Sequence, residues 1–265
     1  MSTNENKGKK AEVTALQAIS AEDRKDWISL AFVQAGICVC VPAFLLGALL
    51  AEAIPIWPAI ISGSLGYLIV VVGMVATGMI GCDLGLASCT CCQAGFGKSG
   101  ARFIVSTIFA VNMIGWFGIQ NGVCGEAFSN AMLAMTGWDI PVVVSNTIWG
   151  IIMLLTAVYG VHALEKLDKI SIPLLMIIMC YGTFLAFKVY GTGNLNDEGT
   201  VQSMSFMSGV ALSFNFTAVG TITGPDYTRF QKSRKDTVKS VFYGVFPMGV
   251  ITLIMGIVLT AIRTV

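Results

Sequence analysis

Three cysteines in four residues, Cys89, Cys91 and Cys92, stand just ahead of Gly95-Phe96-Gly97-Lys98-Ser99. Thiols this close raise metal ligation, and a Gly-Lys-Ser raises a phosphate-binding loop. A Walker A loop needs a glycine five residues before its last glycine; that position is Cys92. For a metal, Cys82 would complete a crowded set of four, but the single histidine, His162, belongs to a different loop. Cysteine is also a small apolar residue that packs tightly. The stretch is therefore read as a short cytosolic element packed under a helix bundle.

Polar residues inside apolar runs carry a different chemistry. Gln34, Gly36 and Pro42 interrupt "WISLAFVQAGICVCVPAFLLGALLAE", and Asn215, Thr217, Gly220, Thr221 and Thr223 interrupt "MSFMSGVALSFNFTAVGTITGPDY". In hydrocarbon such groups face a cavity or another helix, and loose glycine-rich backbone is tolerated there where it lines a cavity. Midway along a third run, Trp116 follows Asn112 by one helical turn, and Phe216 adjoins Asn215 in the same pattern. An aromatic face beside an amide suits a flat, hydrogen-bonding ligand; packing in a helix core is the other reading of either ring. Gly118 and Gly122 form a G-x-x-x-G, expected to be a helix contact.

These residues are carried by membrane spans. The chain of 265 residues is 55% hydrophobic and 12% charged, about half the charge of a soluble domain. Seven apolar segments, 27–51, 56–80, 102–131, 141–161, 170–190, 204–223 and 239–262, are long enough to cross a bilayer. The first 26 residues are polar, lack the apolar core of a signal peptide and read as a cytosolic tail, helical near the membrane. With that tail inside, fourteen of the sixteen Lys and Arg fall on one face, leaving Lys188 and Arg263 opposite. The positive-inside rule then places the N-terminus in the cytosol of a multi-pass cell-membrane protein. That orientation, and the lack of a lysine midway along the last span, exclude a seven-helix receptor or retinal pump. No nucleophile, metal set or carboxylate pair marks an enzyme. The stretch "YGVHALEKLDKIS" reads as a solvated loop and helix start, and "TRFQKSRKDTVKS" as a basic loop at lipid headgroups, not a nucleic-acid site. Asp226 and Arg229 either pair to tie an inner gate or lie in a plain surface loop. Interrupted spans at positions one and six suit a five-plus-five inverted repeat with its substrate site at the breaks.

The stretches "NMIGWFG", "SFNFTAVGTITGPDYTRF" and "DLGLASCTCCQAGFGKSG" resemble the third helix, the sixth helix with its following loop, and the second cytosolic loop of the nucleobase–cation symporter family, most closely its cytosine permease branch. The resemblance runs from Trp27 to the C-terminus. It implies an all-α integral membrane protein, the first seven helices of a twelve-helix transporter with a five-plus-five inverted repeat core. Residues 1–26 are then the tail and 27–265 the transporter domain, its second repeat incomplete. The loop's Phe-Gly-x-x-Gly turn matches Phe96, Gly97 and Gly100, and the cysteines are outside the pattern. By the same resemblance, Trp116 and Phe216 stack on the two faces of a base, Asn215 stands where a serine is more usual, and backbone at Val219 and Gly220 reads the base edge. A glutamine that bonds the base in that branch is replaced here by Met113, with Asn112 beside it.

The driving ion is argued partly from the residues. Acidic side chains are scarce within the spans: Glu52 and Asp226 sit at ends, and Glu126 lies about 15 Å beyond Trp116 along a helix. Sodium needs hard oxygen ligands, which unwound backbone supplies. The resemblance assigns one set to the carbonyls of Gly36, Val39 and Cys40 and the other to an eighth helix, beyond these seven. These 265 residues alone are accordingly expected not to transport. The expected cargo is a cytosine-like nucleobase carried by sodium or cation symport. A purine, a hydantoin or a thiamine-type pyrimidine on the same fold is the alternative. No resident cofactor and a monomer in the lipid bilayer complete the expectation.

Overall fold

The computed structural model describes residues 16–158, 161–192 and 203–263; the side chains of residues 161–165 and 263 lie outside the description. Eleven helices are described: α1 Trp27–Cys38, α2 Val41–Ala53, α3 Ile56–Leu84, α4 Ser88–Cys91, α5 Gln93–Gly100, α6 Ser106–Thr136, α7 Val142–Val158, α8 Val161–Tyr190, α9 Phe206–Thr217, α10 Val219–Thr228 and α11 Arg234–Arg263. Five helical stretches are long and apolar enough to cross a membrane, and the bent pair α1–α2 makes a sixth span. The 17-residue α7 is the remaining apolar helix, at the lower limit for crossing.

The chain falls into two compact units. In the larger, Leu16–Cys91 with Leu167–Val265, α3 packs along α9 and α10, while α11 packs along α1, α2 and α3. In the order of the spans, this unites the first, second, sixth and seventh. Leu30, Leu46, Leu50, Tyr67, Leu253 and Ile257 are fully buried at its centre. Close approach comes from glycine: a Cβ on Gly47 or Gly256 would collide with backbone of the facing helix, at the Leu253 and Phe44 carbonyls respectively. In lipid, van der Waals contact of this kind replaces the hydrophobic drive that holds soluble helices together. Hydroxyls add interhelical bonds. Ser213 Oγ donates to the Gly63 carbonyl, Thr228 Oγ1 to Gly78, and Thr77 Oγ1 to Thr221, each at 2.7 Å.

In the smaller unit, Cys92–Lys166, α6 and α7 cross where Ser145 Oγ donates to the Gly125 carbonyl at 2.8 Å and Phe128 meets Trp149 edge-on at 5.5 Å. The expected contact at Gly118 and Gly122 is not found there: a Cβ on either would meet nothing within 4 Å. The crossing lies further along the same face, at Gly125 and Ser129.

Three boundaries differ from the sequence expectation. The 13 residues read as loop and helix start are helical from Val161, because nothing before Pro173 in that stretch breaks a helix. Helical residues of the third span run back to Gln93, with a kink at Gly97 (φ 68, ψ 172) and a π-turn at Ala101–Val105 before the unbroken Ser106–Thr136. The described part of the tail, residues 16–26, is not α-helical. It makes one 3-10 turn, Ala21–Asp23, and is otherwise extended at Ser20, Arg24 and Asp26. Its backbone donors are taken by the bundle instead: Ile19 N–H donates to the Gly85 carbonyl at 3.0 Å and Lys25 N–H to Phe230 at 2.6 Å.

Candidate functional site

The first span breaks where the sequence places Pro42. A proline has no N–H and its ring would strike the carbonyl four residues back, here Cys38. Helix α1 accordingly ends at Cys38; Val39 (φ −87, ψ 73) and Cys40 (φ −145, ψ 157) leave helical geometry, and α2 departs at 53°. The last carbonyls of a helix lack intrahelical partners, so the stretch through Gly36, Val39 and Cys40 turns a helix C-terminus into an array of oxygen acceptors. Around it lie buried polar groups. Gln34 is fully buried, with neither amide atom hydrogen-bonded among the described residues. The Tyr67 hydroxyl is likewise buried and unpartnered, and its ring packs over Gly249.

The sixth span is interrupted less. Helix α9 stops at Thr217 and α10 starts at Val219, but Ala218 keeps helical dihedrals (φ −54, ψ −33) and the two pieces pass as one span, Phe206–Thr228. The expected break near Val219 and Gly220 is thus a change in hydrogen bonding without a bend like that of the first span. No proline lies at the junction, and the bond from Thr77 satisfies the Thr221 carbonyl from the side. Asn215 is exposed, while Phe216, Val219 and Gly220 are half-buried. Phe216 packs against the larger unit's core, and a Cβ on Gly220 would touch Val70 and Met74 at ordinary distances.

Trp116, Asn112 and Met113 belong to α6 in the smaller unit, Trp116 half-buried and the other two exposed. Phe216 belongs to the larger unit, so each ring is described within its own. The loop after the second span is placed more fully. Helix α4 lies against α10 and α3, and Ser88 N–H donates to Asp226 Oδ1 at 3.0 Å. Gly97 takes a positive φ of 68° in the Phe-Gly-x-x-Gly turn, a conformation glycine adopts without strain. Arg229 is buried with its guanidinium over the Phe230 ring at 4.8 Å.

Residues 19–265 match the family of permeases for cytosine/purines, uracil, thiamine and allantoin. The chain belongs to this permease family. It is similar to the cytosine permease of Escherichia coli strain K12, 27% identical over 216 residues that cover 80% of this chain and 49% of that protein. It is also similar to the purine-uracil permease of Arabidopsis thaliana, 24% identical over 247 residues, covering 83% of this chain and 41% of that protein. Among solved structures, it shares a fold with Mhp1, a nucleobase-cation-symport-1 family transporter in a closed conformation with bromovinylhydantoin bound. That match has a TM-score of 0.84 at 18% identity and covers 95% of this chain and 58% of the other. The chain spans about half the length of the permeases it matches. Its relatives are membrane permeases, not enzymes. The fold is that of the transporter's first seven helices.

One group near the first break escaped the sequence reading of this permease-family chain. Asp168, within the stretch read as a solvated loop and helix start, is part of α8 and lies against Gly36. The only available signal was that the helix pattern runs upstream of the apolar segment.

Proposed function

We propose that this protein, within its whole transporter, carries a planar nucleobase-like compound across the membrane by cation symport and alternating access. The observation that carries the reading is the 53° break of the first span at Cys38–Val41, held inside the quartet of first, second, sixth and seventh spans. A broken helix at membrane depth stands where it lines a cavity. In this reading Trp116 and Phe216 sandwich the base, Asn215 and Asn112 offer amide hydrogen bonds beside Met113, and backbone at Val219 and Gly220 meets the base edge. The co-transported ion is sodium, held by the carbonyls of Gly36, Val39 and Cys40; no resident cofactor takes part. The N-terminus is cytosolic and the protein is monomeric.

Cytosine is the first cargo. A purine, hydantoin or thiamine-type pyrimidine is the second, favoured by Met113 standing where the cytosine branch has a glutamine. The test is equilibrium binding of labelled cytosine, uracil, adenine and hydantoin to the protein made from its complete reading frame, in sodium and in choline chloride. One base should bind at micromolar concentration in sodium and more weakly without it. Trp116→Ala should weaken that binding by roughly 10- to 100-fold, the worth of one base–aromatic stack. Binding indifferent to both the tryptophan and the cation would remove this reading.

A further inference from the structure

Asp168 sits at the end of the second turn of α8. Asp168, Ile172, Met176 and Met179 share one face of that helix. Lower on this face, buried Ile172 packs with Ala35 and Val39, flanked by Phe32, Met176, Met179 and Met248. The face therefore lies along the end of α1. Asp168, the charged one of these four, is aimed at Gly36: the place a Cβ would occupy there is 3.1 Å from Asp168 Oδ1 and 3.2 Å from Oδ2. A Cβ there would be tight against both oxygens and would press the carboxylate back by a few tenths of an ångström.

The position is electrostatically unfavourable as it stands. Helix α1 ends two residues later at Cys38, where the negative end of the helix dipole lies. A carboxylate is repelled by that end and a cation is attracted to it. The titratable groups facing Asp168 from the packed helices are Tyr227 of α10 and, through Tyr227, Cys38 of α1, none of them basic. Among the described residues no Lys or Arg pairs with Asp168. The buried hydroxyl of Tyr67, unpartnered among the described residues, lies within electrostatic reach of Cys38 and Cys40. Oxygens from α8, α1 and α3 thus gather around one helix break, with a carboxylate that no Lys or Arg pairs among the described residues.

We propose that Asp168 is a ligand of the transported cation, a small hard monovalent ion of the sodium type, its carboxylate joining the carbonyls of Gly36 and Val39. This rests on the sodium reading given above. The carboxylate supplies the charge that backbone dipoles lack. Being on α8, it links ion occupancy to the position of a helix whose other contacts with α1 are apolar.

The test is thermal melting of the purified protein, made from its complete reading frame, titrated with sodium chloride against choline chloride at constant ionic strength. Wild type, Asp168→Asn and Asp168→Glu are compared. Wild type should be stabilised by sodium. In Asp168→Asn the half-maximal sodium concentration should rise about tenfold or more, and Asp168→Glu should recover part of that loss. A sodium response in Asp168→Asn equal to wild type overturns the assignment and leaves sodium coupling standing. A wild type blind to sodium overturns both. Should Asp168→Asn fail to fold, judged by size-exclusion chromatography, Asp168→Glu decides: its added methylene displaces the carboxylate, and an unshifted sodium midpoint overturns the proposal.

Discussion

At the residue scale, glycine acts in two unlike ways in this chain. Gly47 admits the Leu253 carbonyl of α11, whereas a Cβ on Gly118 would meet nothing within 4 Å. Gly47→Ala should destabilise the protein by about 1–3 kcal/mol, the usual cost of overpacking a close contact. Gly118→Ala should stay within about 0.5 kcal/mol of wild type, as surface changes do. Melting in detergent separates the two, and equal losses would mean that both glycines are contact points. Both residues look alike in the sequence, because a small-residue spacing shows that a close contact is possible and not which helix comes to make it. Gln34 and Pro42 were more legible, since an amide and a proline in an apolar run each conflict with a plain span. Asp168 was not legible. Its contact with Gly36 spans 132 positions of chain and leaves no local pattern.

At the scale of elements, the two interrupted spans differ because only one contains a proline at its interruption. Replacing Pro42 by Ala restores the missing donor, and α1 and α2 should straighten toward one helix. Spin labels on the exposed positions Ile28 and Leu49, 21 residues apart, should then move toward the roughly 31 Å of a straight helix. An unchanged distance would place the cause of the bend in packing instead. The segment ahead of α1 is an element of another kind. Besides its backbone bonds, Arg24 Nη1 donates to the Gln231 carbonyl at 3.0 Å and Lys232 Nζ pairs with Asp26 at 2.6 Å. That ion pair is solvent-exposed on both sides, so Asp26→Ala should cost less than about 1 kcal/mol. Lys25→Pro removes the N–H that bonds Phe230 and should cost more, about 1–3 kcal/mol for the orphaned carbonyl. Limited proteolysis of the tail gives the order of the two.

At the scale of the whole molecule, the basic residues argue for a cytosolic N-terminus, since fourteen of sixteen share its face. A protease-cleavable tag ahead of Met1 should be cut in inside-out vesicles and protected in right-side-out ones; the reverse pattern would invert every loop. The seven apolar segments, their order and the family were within reach of the linear chain. Span length and hydropathy answer to the bilayer, and a motif such as Gly-Trp-Phe-Gly is contiguous. What required the folded chain was which helices lie against which. Only tertiary structure gathered the first, second, sixth and seventh spans into one unit, bonded the sixth to a hydroxyl on α3, and carried Asp168 to Gly36. Those outcomes depend on distances between residues remote in sequence, and the one-dimensional pattern of apolar and polar groups contains no such distances.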